Sequence, residues 1–129
     1  MPVFKDSAFL YDSLGGFWKF LGERDDFKEA ALKAGLVIKF EITEPNAEIW
    51  IAPDGVYFGQ QAFKADITMS LTADSCHAFW MKELSLPVAL AKRKIKAKGN
   101  IAKILKLLPV IMPAFSMYPG YMEKFNLSS

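Results

Sequence analysis

The segment Lys92–Leu108, KRKIKAKGNIAKILKLL, constrains the fold most, because two hydrophobic periods meet in it across a single break. In Lys94–Lys98 the apolar residues Ile95 and Ala97 alternate with lysines, the period of a strand with one buried face. Gly99-Asn100 stops that pattern, and from there Ile101, Ile104, Leu105 and Leu108 recur at helical spacing with Lys103 and Lys106 on the flanks. A strand edge therefore feeds an apolar helix. That helix is expected to bend or end at Pro109, which has no amide donor and crowds the preceding turn.

Upstream, ADITMSLT reads as a strand with Ile67, Met69 and Leu71 on one face, followed by a helix over SCHAFWMKEL capped by Thr72 or Asp74. Ser85-Leu86-Pro87 starts another short helix, with proline in its first turn. Earlier still, LVIKFEIT, AEIWIA and VYFGQ are strands, the last two joined by a hairpin at Pro53-Asp54-Gly55. The N-terminal third is helical. Asp6-Ser7 can cap a first helix, which Gly15-Gly16 is expected to kink or split, and a second from about Asp25 to Ala34 ends at Gly35.

At 129 residues the chain has the length of one domain with one core. Its hydrophobic fraction of 52% and eleven phenylalanines are high enough that part of the surplus could line a cavity. The longest apolar run, Leu107–Tyr118, is broken by Pro109 and Pro113 and falls short of the roughly 20 residues that span a bilayer. The start MPVFKDSAFL lacks the pattern of a secretory signal. A lone cysteine, Cys76, excludes an internal disulfide or a cysteine metal cluster, so the expected compartment is the cytoplasm.

Charge is divided. Residues 1–83 carry 8 Lys/Arg against 13 Asp/Glu, and residues 84–129 carry 8 against 1, giving −5 and +7. Seven of the cations, Lys92, Arg93, Lys94, Lys96, Lys98, Lys103 and Lys106, lie together without a carboxylate. Lysines on an edge strand discourage pairing with other molecules and need no further role. The same cluster could dock on an anionic membrane surface, each cation contributing about 1 kcal/mol there. Nucleic acid is disfavoured as a partner, because Lys92–Lys106 contains no aromatic for base stacking.

No metal-ligand spacing, phosphate loop or dinucleotide fingerprint occurs, and no metal or cofactor is expected. His77, the only histidine, follows Cys76 and lies near Asp74, but on one helix Cys76 points away from the face that Asp74 and His77 share. A packed or surface histidine is the plainer reading, and no catalytic residue is assigned. The tail VIMPAFSMYPGYMEKF, with Met112, Met117 and Met122, suits either core packing or a lid over an apolar pocket.

Over residues 35–108 the chain resembles the sterol carrier protein type 2 family. The likeness rests on Ala65-Asp66-Ile67-Thr68, the apolar helix after Asp74-Ser75, the helix start Pro87–Ala89, and Lys94-Ile95-Lys96 before Gly99-Asn100. Trp50 and Asp54-Gly55 add to it. The chain departs where family members usually have glycine near the end of the first short helix and before the basic strand; Lys82 and Arg93 stand there. The resemblance implies an α/β (α+β) domain: a five-stranded, curved, mixed sheet covered on one face by helices, with a hydrophobic tunnel between. It also implies non-catalytic intracellular binding and transfer of fatty acid, acyl-coenzyme A, sterol or phospholipid.

On periodicity and this resemblance together, the expected apolar walls are Phe40, Trp50, Phe79, Trp80, Leu90, Ile104, Leu105, Leu108, Met112 and Phe115. The expected organisation is one lipid-binding domain, with N-terminal helices over 1–34, sheet and helices over 35–108 and an apolar lid over 109–129. An interaction or dimerisation module supporting a lipid-metabolising complex is the alternative, and monomer and homodimer both stay open.

Overall fold

The computed structural model describes residues 3–125, with the side chains in that span other than Ile101, Ile104, Lys106, Leu107, Leu108 and Val110. Asp66 sets the register of its sheet. The Asp66 carboxylate accepts the Val37 N–H at 2.8 Å, while the Asp66 and Ile67 N–H groups donate to the Val37 carbonyl at 2.8 and 3.2 Å. That clamp places Ile38 opposite Ile67, so β1 (Ile38–Thr43) and β4 (Ile67–Thr72) run parallel. β2 (Ala47–Ala52) and β3 (Gly55–Phe58) extend the sheet antiparallel on one side, and β5 (Ile95–Lys98) on the other, in the order β3-β2-β1-β4-β5. This is the five-stranded mixed sheet expected.

Gly99 ends β5 against the same clamp. Its φ is +112°, and a Cβ there would stand 2.5 Å from the Asp66 carbonyl oxygen, so glycine alone fits. Asn100 then caps α6 (Ile101–Phe115) by accepting the Lys103 N–H at 3.4 Å.

The helices pack over the face of Ile38, Phe40, Ile49, Ile51, Met69, Leu71 and Ile95. α1 (Ser7–Leu10), capped by Asp6, passes through a π-helical turn, Tyr11–Gly15, into α2 (Gly16–Gly22). The split expected at Gly15-Gly16 is thus a widened turn. A Cβ on Gly15 would stand 2.7 Å from the Phe58 ring and one on Gly16 2.6 Å from the Tyr121 hydroxyl, so the glycines admit close packing on the sheet and the tail. α3 (Asp25–Ala34), α4 (Ala73–Trp80), α5 (Leu86–Ala91) and α7 (Tyr118–Glu123) complete the layer.

Pro109 does not end α6, which continues through Pro109 and Pro113 to Phe115. The lost donors cost helix stability, and the burial of Ala114 and the packing of Ile111 and Phe115 against the core offset it.

The two positions where the resemblance leads glycine to be expected keep the geometry without the residue. Lys82 (φ +64°) and Arg93 (φ +59°) are left-handed, each just past a helix end. The Glu83 N–H reaches the Ala78 carbonyl at 2.8 Å and the Lys82 N–H the Phe79 carbonyl at 3.1 Å. Lys94 and Arg93 repeat the pair on Ala89 and Leu90 at 2.9 and 3.2 Å. Both are Schellman caps, a motif that favours glycine at the left-handed site. A side chain in that conformation costs about 1–2 kcal/mol, partly returned by glycine's greater entropy loss on folding. Lys82→Gly and Arg93→Gly are each expected to raise stability by about 0.5–1 kcal/mol in urea unfolding; a lowered midpoint would contradict the cap assignment.

Candidate functional site

Alternation along the strands sends one set of apolar side chains toward the helices, and these form the floor of a cavity: Ile38, Phe40, Ile51, Met69, Leu71 and Ile95. Trp18 of α2 and Cys76, Phe79 and Trp80 of α4 close one side. Leu86 of α5 and Ile111 of α6 also line it. The remaining wall is α3, whose Phe27, Ala30, Ala31 and Ala34 fall at helical spacing on one stripe, with Leu36 just beyond. The space enclosed is about 100 Å³.

Its chemistry is uniform. Among the described residues no charged side chain lines it, and the one ionisable group they contribute, the Cys76 thiol, is pushed up to about 12 by burial and stays protonated. Such a surface offers dispersion and desolvation to an apolar guest and nothing to a polar one. An engineered cavity of about 150 Å³ in an unrelated protein holds one benzene ring, so a long acyl chain or a sterol requires a wall here to move.

Of the residues anticipated as walls, Phe40, Phe79 and Trp80 line the cavity. Phe115 stands behind them, its ring 5.2 Å from both Phe79 and Trp80, and Leu90 is half-buried against the core. Trp50 is a correction. It pairs across the sheet with Lys39 and Tyr57, on the face away from the helices, where its indole N–H donates to the Gly59 carbonyl and Phe63 partly covers it. Strand parity decides this, since Ile49 and Ile51 occupy the inward positions of β2.

Leu105 and Met112 are also corrected, being 40% and 60% exposed on the outer side of α6. Because that helix runs on past Pro109, the phase that turns Ile111 and Ala114 inward turns Met112, and Leu105 seven residues earlier, outward. The side chains of Ile104 and Leu108 lie outside the described residues. The wall that sequence reasoning missed is α3, whose alanines at spacings of three and four were legible as a stripe but carried little hydrophobic weight.

The described lysines of the basic cluster, Lys92, Lys94, Lys96, Lys98 and Lys103, and Arg93, are exposed; the Lys106 side chain lies outside the described residues. Among the described residues the ion pairs are those of Arg24 with Asp26 and of Lys39 with Glu41 and Glu48.

The possible triad disperses. Cys76 faces the cavity, Asp74 accepts the Val3 N–H at 3.0 Å, and His77 is buried with its Nδ1 2.7 Å from the Tyr118 hydroxyl. Burial holds the His77 imidazole below its ordinary value, against a weaker opposite pull from Glu83 and Asp74, and burial raises Tyr118. Among the described residues no group of three or more His, Cys, Asp or Glu could hold a metal ion, and no helix is long and apolar enough to cross a membrane.

Residues 19–112 match the SCP-2 sterol transfer family. No curated protein matches the chain. Among solved structures, sterol carrier protein domain 2 of Helicoverpa armigera superposes with a TM-score of 0.65 at 16% identity, covering 83% of this chain and 88% of that one. The palmitated SCP2L2 of Aedes aegypti gives 0.60 at 22%, covering 79% and 93%. UbiJ-SCP2, a ubiquinone synthesis protein, gives 0.58 at 16%, covering 85% and 92%. At these identities the likeness establishes the fold.

The buried His77–Tyr118 pair has a measurable consequence. A histidine whose folded pKa lies below its ordinary value of 6.5 is protonated first in the unfolded chain as pH falls. Its contribution is therefore intact above about pH 6.5 and declines below it. Urea midpoints are expected to drop between about pH 7.5 and about pH 5.5, less so in His77→Phe. Tyr118→Phe leaves the imidazole nitrogen unpaired and should cost about 1–3 kcal/mol at pH 7.5.

Proposed function

The chain belongs to the SCP-2 sterol transfer family, and on that premise we propose that it binds and transfers lipid without catalysing a reaction, the apolar tail lying between sheet and helices. The observation that carries this is the lining of the cavity, with apolar side chains on every wall and no charged group among the described residues. Each methylene buried there contributes about 0.8 kcal/mol before ordering costs, so a long chain reaches useful affinity without a polar anchor. The head group then stays at the mouth, where Ala34 of α3 is exposed. A palmitated relative makes an acyl chain the first ligand to try, with sterol second. The lone Cys76, free and buried, suits a reducing compartment, the cytoplasm.

Loading requires a wall to yield, and α3 is the one built for it. It buries none of its residues, whereas Tyr118 and Met122 anchor the C-terminal α7 at full burial. A cleft of about 290 Å³ lies on its other flank, between Lys28 and Leu32 and the β2–β3 hairpin at Pro53–Val56. Phe27 and Ala31 border both spaces, so a shift of α3 into the cleft widens the cavity. On this reading the mobile cover is α3. The described structural likeness to a ubiquinone synthesis protein supports a second reading, a module that serves a biosynthetic complex. Native mass spectrometry separates the two: a co-purifying lipid favours the carrier, and an empty stoichiometric oligomer favours the module.

Delipidated protein titrated with fluorescent fatty-acid and sterol analogues should bind at least one class saturably; no saturable binding of either would refute the carrier. Ala31→Trp, projecting into the cavity, should weaken that binding about ten-fold or more while leaving the unfolding midpoint within about 1 kcal/mol of wild type. By hydrogen exchange, α3 amides should exchange about ten-fold or more faster than those of Tyr118–Met122 and slow on addition of the bound analogue. Equal protection of the two segments would remove α3 as the gate.

A further inference from the structure

Two polar side chains are buried among the described residues, Ser13 and His77. Ser13 is satisfied locally, donating to the Phe9 carbonyl one turn back. His77 instead joins two helices, its Nδ1 lying 2.7 Å from the Tyr118 hydroxyl of α7. The pair is outside the cavity lining, but α7 is tied to both of the facing walls. The Tyr118 ring stacks on the lining indole of Trp80, with centroids 5.8 Å apart and planes 17° from parallel. The Arg24 guanidinium lies 3.7 Å from the sulfur of Met117, the residue before Tyr118, and Arg24 is the N-cap of α3. Met117 and Tyr118 thus connect the wall at Trp80 with the start of the wall at α3.

We propose that Met117 and Tyr118 form a proton-sensitive latch on the lipid cavity: a proton taken up by His77 releases α7 from α4, and with it the start of α3, so that bound lipid leaves faster in acid. The inference deepens the carrier reading and rests on it. In the neutral ring one nitrogen is free to accept from the Tyr118 hydroxyl, whereas in the imidazolium both nitrogens carry hydrogen and that acceptor is gone. The charge is then left in an apolar setting, with the Phe4 ring of the N-terminal segment edge-on at 6.0 Å and α7 presenting Tyr118, whose own ionisation burial opposes. Two carboxylates favour the cation: Asp74 on α4, which also accepts the Val3 N–H, and Glu83 just past the end of α4. Burial outweighs both. Cys76, which acts on Tyr118 from the cavity side, stays protonated and adds no charge. Lifting α7 brings water to the imidazolium, and α7 is short, six residues with Tyr118 and Met122 as its buried anchors. With His77 restored to its ordinary value of 6.5 in the opened form, about pH 5.5 favours opening by at most about ten-fold over neutral pH.

Stopped-flow release of a fluorescent fatty alcohol, which has no carboxyl to titrate, into excess phosphatidylcholine vesicles tests this at about pH 7.5 and about pH 5.5. Wild type should release the alcohol about three- to ten-fold faster at the lower pH. His77→Asn, which keeps an acceptor for Tyr118, and His77→Phe, which keeps a ring, should each release it at one rate at both pH values; either variant that folds suffices for the comparison. Hydrogen exchange, corrected for its intrinsic pH dependence, should rise in Tyr118–Met122 of acidified wild type while β1 and β4 stay protected. Loss of protection in β1 and β4 as well would make the release plain unfolding and overturn the latch. If wild type binds the alcohol but releases it equally at both pH values, or if the His77 variants keep the acid step, the latch is wrong and the carrier stands. If wild type binds neither the alcohol nor the fatty-acid and sterol analogues, the carrier reading has failed and the latch falls with it.

Discussion

Trp80 is the contact on which the helical layer depends. Only 1% exposed, its indole packs edge-on against Phe17 and Trp18 of α2 and stacks on Tyr118 of α7, at centroid distances of 5.1, 5.4 and 5.8 Å. Phe79 and Phe115 close the ring from α4 and α6, at 5.5 and 5.2 Å. Such pairs contribute about 0.5–1.5 kcal/mol each beyond the area they bury. The energy matters less than the geometry, because one residue ties four helices to a common point. Trp80 also lines the cavity, so the strongest part of the layer is one of its walls.

The rest of the site follows from distance to that point. α2, α4 and α7 hold the cluster directly, and Tyr118 adds its hydrogen bond to His77. α3 touches the cluster through Phe27, whose ring lies 6.2 Å from Trp18. Its other lining residues are alanines, which present little area to hold the helix in place. A rigid wall and a weakly held wall therefore face each other across the same apolar space. On the proposed reading, a guest larger than the space displaces the weaker one.

The strands and the break at Gly99 were legible because each rests on a local signal with one physical meaning. Alternation in β4 predicted the inward set Ile67, Met69 and Leu71, and the buried pattern follows it. Gly99 was readable as a stop, although its reason, contact with the Asp66 carbonyl, belongs to the tertiary fold. Trp50 was misplaced because a large aromatic in a strand carries no label for its face; parity along AEIWIA gives the inward side to Ile49 and Ile51. Pro109 misled for a different reason. Proline's cost to a helix is local, whereas the packing of Ile111, Ala114 and Phe115 that outweighs it is not. Lys82 and Arg93 show the converse, a left-handed backbone geometry held by the surrounding hydrogen bonds without the residue that favours it.

The continuity of α6 through its prolines links these observations to lipid handling. Had the helix ended at Pro109, Met112 would belong to a loop and could fold back over the cavity, as a lid would. As one helix, it is pinned at its far end by Ala114 and by the rings of Phe115, so its inner and outer sides cannot exchange. Its outer apolar side therefore stays at the surface, and its inner side stays with the cavity. An α6 fixed in this way is a poor gate, and on the proposed reading motion falls to α3, which buries none of its residues.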